Sequence, residues 1–305
     1  MISLSKYKSD DKLKGYLWAF VSVIAVSNVY LFSKIALEEI NLLQFGFFWF
    51  GFGLIWIILL TDFRQSIRMI TLIPRNSLKI YFFSGILETV STASFFYAME
   101  LIENPSVTSF LTNLTPILVV LMSFIFLKER FSKYELAGIL FTISGAFIIS
   151  YLGNKGLGSF LMFGSIYVYL NSITQASVMI LVKKNITNLS PKLLTLNRTI
   201  FIFFFSVIFV IFTRQSLSIS LKTFIALVIG SFLGPFLTTI SAYNALKYLE
   251  AYKQSLINSS KSLFVLLGSF LIFGKLPMNF QIIGGVFTII GVILVSLGSK
   301  QKNVK

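Results

Sequence analysis

Residues 97–145 read YAMELIENPSVTSFLTNLTPILVVLMSFIFLKERFSKYELAGILFTISG. A long apolar run ends in the charged turn Lys128-Glu129-Arg130, and a second apolar run follows that carries Gly138 and Gly145. Displaced by 146 residues, the chain presents a degenerate copy at 243–291, with Tyr97 over Tyr243, Gly138 over Gly284 and Gly145 over Gly291. Eleven of the 49 aligned positions are identical without a gap. Spaced glycines and a tyrosine in register point to duplication of a hydrophobic unit.

Composition says where such a unit resides. Hydrophobic residues make up 56% of the chain and charged residues 12%, with a mean hydropathy of +0.85; a soluble domain is roughly 25% charged. Ten apolar runs succeed one another, at 15–35, 42–61, 78–99, 105–127, 134–152, 158–182, 191–213, 222–246, 252–273 and 280–298. Each is long enough to cross a bilayer as a helix, and continuous runs of this kind are unlike the short alternating strands of outer-membrane barrels. The expected fold is all-α, with ten transmembrane helices. A lead at 1–14 precedes a first five-helix repeat at 15–152, a second repeat occupies 153–298, and a tail follows at 299–305.

Lys and Arg decide the orientation. The N-terminus, the C-terminus and the connections after the second, fourth, sixth and eighth runs hold 19 of the 26, including Arg64, Arg68, Arg75, Lys128, Arg130, Lys133, Lys183 and Lys184. The opposite side holds Lys34, Lys155, Arg214, Lys222 and Lys275. Both termini are therefore expected in the cytoplasm, with the chain a multi-pass protein of the cytoplasmic (inner) membrane. The net charge of +15 is scattered over many short turns, so it reads as a topology signal and no nucleic-acid partner is expected. Five spans is an odd number, so the second repeat enters the membrane in the opposite sense. Inverted repeats are the mark of many secondary transporters, whose site lies near the midplane between two rocking halves.

Several classes of chemistry drop out. Cys and His are absent, which removes disulfides, thiolate chemistry, histidine metal sites and Ser-His or Cys-His catalysis. No segment matches GxxxxGK[ST], so hydrolysis-driven transport by this chain alone is not expected. Glu88 is the one acid near mid-membrane, too few for an intramembrane enzyme. No enzyme activity, cofactor or metal is expected, and the lipid bilayer and a small-molecule substrate are the partners; a monomer and a homodimer fit equally.

The opening stretch resembles the EamA domain of the drug/metabolite transporter superfamily. In that pattern a Tyr-Ala pair ends the third span, a mid-helix Pro follows in the fourth, a Lys-Glu-Arg-type turn comes next, and a Gly pair spaced by seven marks the fifth. Here these are Tyr97-Ala98, Pro116, Lys128-Glu129-Arg130, and Gly138 with Gly145. The second copy keeps Tyr243, Gly274, Gly284 and Gly291 but has Ser262 for the proline and Lys275 for the glutamate. In the first span the family's Trp-Gly before an Asn is here Ala25-Val26-Ser27-Asn28, and Arg198 looks like an arginine common in the seventh span. The resemblance covers nearly the whole chain. It implies ten helices in two EamA repeats and transport of a small organic molecule, with family substrates ranging over amino acids, sugars, nucleotide derivatives and drugs.

Ionisable groups in hydrocarbon need a reason, since each costs on the order of 2.5–3.5 kcal/mol by insertion scales. Glu88 and Lys261 fall near mid-membrane, and Arg198 lies shallower, toward the cytoplasmic side. Lys261 shares a helical stripe with Asn258 and Gln254, and the equivalent stripe in the first repeat is Thr115, Thr112 and Thr108. Two equivalent polar faces suit one aqueous cavity, although threonines also bond back to their own helix. Glu88 and Lys261 either neutralise each other or serve a substrate, Lys261 taking an anionic group while Glu88 takes a cationic group or exchanges a proton. Arg198 reads as an anchor of cytoplasmic helix ends. Asn28, and Asn171 with Gln175, sit at similar depths in equivalent helices and can both donate and accept; helix glue is the competing role. Pro116 matches the family proline, and Gly234-Pro235 interrupts the eighth span, as a kink or a gating hinge. Tyr97 and Tyr243 are gate or interface candidates. The leading expectation is a secondary carrier of a small metabolite, an amino acid or similar charged solute, with export slightly favoured by the resemblance. The alternatives are uptake or exchange of an organic anion or nucleotide-like solute, and a lipid-scrambling or structural protein.

Overall fold

The structure is a computed structural model and describes residues 9–61, 75–102, 108–109, 111–150, 164–273 and 279–301. Among these residues the regular structure is helical, joined by short connections such as 128–132 and 215–220. In order, the helices are α1 (Ser9–Leu37), α2 (Leu42–Leu60), α3 (Arg75–Leu101), α4 (Leu114–Phe126), α5 (Lys133–Ser150), α6 (Ser165–Asn185), α7 (Pro191–Thr213), α8 (Leu221–Tyr248), α9 (Ala251–Ser259), α10 (Lys261–Phe273) and α11 (Asn279–Gln301). The ninth apolar run is divided at Ser260 into α9 and α10. The eighth is continuous but carries a π-helical turn at Phe232–Thr238 around Pro235. α1 begins at Ser9, inside the stretch read as a lead. Arg64, Arg68, Lys155, Gly274 and Lys275, and the boundary between the repeats, lie outside the described residues.

Local signals set the helix ends. Asn41 caps α2 by accepting from the amides of Leu43 and Gln44, and the Gln44 side chain returns to the Asn41 amide, a reciprocal capping box. Ser132 and Glu135 make the same exchange at the start of α5, with Ser132 N donating to Glu135 at 2.7 Å. Pro191 opens α7 at a position where its missing N–H costs nothing. Ser220 caps α8, and Glu39 from the α1–α2 turn accepts from the Ser220 amide at 2.7 Å and from the hydroxyls of Ser220 and Thr223. In the Lys128-Glu129-Arg130 turn Lys128 adopts φ 54, a left-handed conformation that suits glycine; the aligned residue of the second copy is Gly274.

Equivalent helices of the two repeats run antiparallel. Gly46 of α2 abuts Ser206 of α7 and Gly51 abuts Phe203, while Gly53 abuts Pro235 of α8 with Thr199 of α7 farther off. Likewise Gly138 of α5 lies against Gly291 and Val295 of α11, while Gly145 lies against Gly284 and Thr288. The packing obeys the same exchange: α3 lies on α6 as α8 lies on α1, and α4 lies on α6 as α9 and α10 lie on α1. The repeats are thus inverted copies that interdigitate. Among the described residues, five helices are long and apolar enough to cross a membrane: the first from Asp11–Leu37, then Leu42–Leu60, Ser165–Asn188, Pro191–Thr213 and Leu221–Tyr248. Large apolar side chains cover the outside, among them Leu59, Leu140, Phe212 and Leu271, as a lipid-facing surface requires.

Candidate functional site

The inverted packing leaves a cavity of about 170 Å³ between the repeats, bounded by α1–α4 on one side and α6–α10 on the other. Among the described residues, three charged ones line it: Glu88, Arg198 and Lys261. Glu88 and Arg198 meet. Arg198 Nε donates to Glu88 Oε2 at 2.8 Å, and Tyr243 donates its hydroxyl to Glu88 Oε1 at 2.6 Å. The other guanidinium nitrogens donate to Thr239 Oγ1 at 2.7 Å and Thr92 Oγ1 at 2.9 Å. Thr239 in turn donates to the Gly234 carbonyl at 3.2 Å, inside the π-helical turn that Pro235 creates. Each guanidinium nitrogen and each carboxylate oxygen of this pair thus has a partner, the condition under which a buried ion pair is tolerated.

Pairing of Glu88 with Lys261, one of the two roles expected from sequence, is therefore corrected: the partner of Glu88 is Arg198. Arg198 is correspondingly no anchor of helix ends, because its long stem turns inward to the cavity wall. Lys261 is 4% exposed, opens α10 directly after the interruption at Ser260, and its ammonium has no hydrogen-bond or ion-pair partner among the described residues. One and two turns before it, Asn258 and Gln254 line the same cavity, and their side-chain oxygens are buried without a donor.

The remaining candidates divide. Thr112 and Thr115 line the cavity, Thr112 sharing a 2.9 Å hydrogen bond with the Tyr30 hydroxyl. Thr108 is fully buried and off the lining. Asn171 and Gln175 reach the cavity while also gluing α6 to α3, since Asn171 donates to the Ser91 carbonyl at 2.8 Å and Gln175 accepts from the Ser91 hydroxyl at 3.1 Å. Pro116, Pro235 and Tyr243 line it as well. Asn28 does not: its amide donates to Ile24 of its own helix. Tyr97 is also away from the cavity, edge-on to Tyr167 with ring centroids 4.6 Å apart. Ser262, the residue that stands where the first copy has Pro116, accepts from Asn113 at 3.1 Å and pairs with Ser109 at 3.0 Å, locking α10 to the start of α4.

Sequence reasoning missed the aromatic wall of Trp49, Phe50, Phe95 and Phe96, because among 34 phenylalanines a cavity-facing ring looks like a lipid-facing one. It also missed Thr92 and Thr239. A signal for these existed: Thr92 follows Glu88 by four residues and Thr239 precedes Tyr243 by four, so each pair shares a helix face.

A bundle of apolar helices in two inverted repeats around a charged internal cavity defines the membrane-transporter class. The profile of the EamA-like transporter family matches residues 13–151 and again 162–297, and the chain belongs to that family. A solved structure titled only "Crystal structure of protein" superposes with a TM-score of 0.75 over 97% of this chain and 99% of that one, at 14% identity, which shows a shared fold. No curated protein matches the chain.

Proposed function

We propose that the protein is a secondary carrier that moves a small charged organic metabolite across the cytoplasmic membrane by alternating access, the ten apolar runs each spanning the bilayer and both termini lying in the cytoplasm. The observation that carries this reading is a cavity between inverted repeats whose lining includes an ion pair and a further buried cation. Ionisable groups so placed are expensive in a scaffold and useful in a carrier. Amino acids and similar charged solutes are the favoured cargo, and export is the favoured direction on family grounds. The cavity volume of about 170 Å³ lies below the roughly 300–1,000 Å³ of pockets for drug-sized ligands, which counts against a nucleotide-like solute.

The test is counterflow in proteoliposomes, with panels of amino acids, organic acids, sugars and nucleotides, run on wild type and on Thr115→Trp, which fills the cavity. Saturable exchange of a small charged solute that Thr115→Trp abolishes is expected. Exchange unaffected by the filled cavity, or movement of labelled lipid instead of solute, would overturn the proposal.

A further inference from the structure

We infer that the solute presents a single carboxylate to Lys261 and an N–H donor to the amide oxygens of Gln254 and Asn258, while Glu88 makes no contact with it. The inference rests on the carrier reading above and follows from counting charges around the cavity. Of the three charged lining residues, Glu88 and Arg198 neutralise each other. Both Glu88 oxygens are taken, by Arg198 and Tyr243, and Arg198 is further held by Thr92 and Thr239. Opening that pair to admit a substrate ammonium would leave a largely buried guanidinium without its counter-charge. The pair is wall, and not a docking point.

Lys261 is left as the one uncompensated cation among the described cavity residues. A buried ammonium without a partner is unfavourable, so the site is poised for one anionic charge and no more. A dicarboxylate would bring a second negative charge with no cation to meet it; a neutral sugar or an amine would leave Lys261 unpaired. The chemistry beside Lys261 specifies the neighbouring group. Gln254 Oε1 and Asn258 Oδ1 are buried acceptors lacking donors, and they lie on the lysine's own stripe. An N–H or N⁺–H close to the carboxylate satisfies both, as in an α-amino acid or an N-acylated acid. The rings of Trp49, Phe50, Phe95 and Phe96 supply an apolar surface for the rest of the molecule. The reading in which Glu88 receives the substrate cation is replaced by one in which amide oxygens do.

The experiment is thermal stabilisation of the purified, detergent-solubilised protein in chloride-free buffer. The probes are the twenty common L-amino acids, and for each stabilising one its carboxamide, its decarboxylated amine and its 2-oxo acid. Stabilisation by at least one monocarboxylic amino acid is expected, lost on conversion to the amide or the amine. Lys261→Met should weaken that binding on the order of 100-fold and Lys261→Arg by no more than about tenfold, the loss of a charge-assisted contact as against its repositioning. Lys261→Met should also melt higher than wild type without ligand, because it removes an unpaired buried charge. That readout keeps the inference testable without a ligand in hand. Gln254→Leu should weaken the amino acid more than its 2-oxo acid. No stabilisation by any carboxylate, equal stabilisation by amides or by chloride alone, or unchanged affinity in Lys261→Met would overturn the inference. Specific carboxylate binding without counterflow would sink the carrier reading and leave this one standing.

Discussion

Lys253 shows how a single residue ties the repeats together. It is 1% exposed, and its ammonium lies 3.1 Å from Glu135 of the first repeat and 3.0 Å from Glu250 of the second. Tyr252 donates to the same Glu135 oxygen at 2.5 Å. The cluster pins the start of α9 to the start of α5. Removing its cation leaves the fully buried Glu135 without its counter-charge, beside a Glu250 that is 30% exposed, so Lys253→Met is expected to cost about 3 kcal/mol, the low end for a broken buried pair, read as a lowered Tm in detergent; a variant as stable as wild type would show that the pair has no net weight. Glu129, in the neighbouring turn, is the pH-sensitive member. Burial, with Glu250 close by and only partly opposed by Lys183, pushes its carboxyl up to about 7 from 4.5. The folded protein therefore holds this proton more tightly than the unfolded chain, so the penalty is absent below pH 4.5 and complete above pH 7. Stability should fall by about 3 kcal/mol between those limits, and Glu129→Gln should remove that part of the slope in a pH series of melting curves.

At the scale of elements, the glycines that first drew attention have a single purpose. A Cβ on Gly138 would stand 2.7 Å from the Gly291 carbonyl oxygen, and one on Gly145 would stand 2.6 Å from that of Gly284. Backbone meets backbone along α5 and α11, and neither can yield as a flexible side chain would. Gly145→Val is expected to destabilise by 1–3 kcal/mol or more, in the manner of an overpacked core. At Gly51 an added Cβ meets a ring edge of Phe203 at 3.1 Å, so Gly51→Ala should cost under about 1 kcal/mol in the same melting assay. Equal losses at the two sites would contradict the backbone-contact account. The seven-residue glycine spacing was readable because it recurs with an interval of 146 residues. The interruption of α8 was readable from Pro235. The division of α9 from α10 was not, because Ser260 carries neither the fixed φ of proline nor the freedom of glycine, and only the polar run Asn258-Ser259-Ser260 hinted at it.

For the whole molecule, apolar run lengths and polar stripes carried most of the reading, since both depend on helical periodicity alone. Which charges meet did not follow from periodicity. Glu88 and Lys261 have similar depths in the sequence, yet Glu88 pairs with the shallower Arg198, because a long arginine stem can cover a difference in depth counted in residues. Orientation relative to the membrane rests on charge distribution, and the absence of cysteine makes it directly testable. Ser218, in the α7–α8 connection, and Thr187, in the α6–α7 connection, are both exposed. If both termini are cytoplasmic, the first connection faces outward and the second inward. A membrane-impermeant maleimide added to intact cells should label Ser218→Cys, and should reach Thr187→Cys only after permeabilisation. The reverse pattern would invert the assignment of every loop, moving the Lys253 cluster to the outer face and the Glu39 clasp to the inner one. Labelling of both in intact cells would mean an even number of crossings between them, incompatible with α7 as one span, and would break the five-helix count on which the inverted repeat depends.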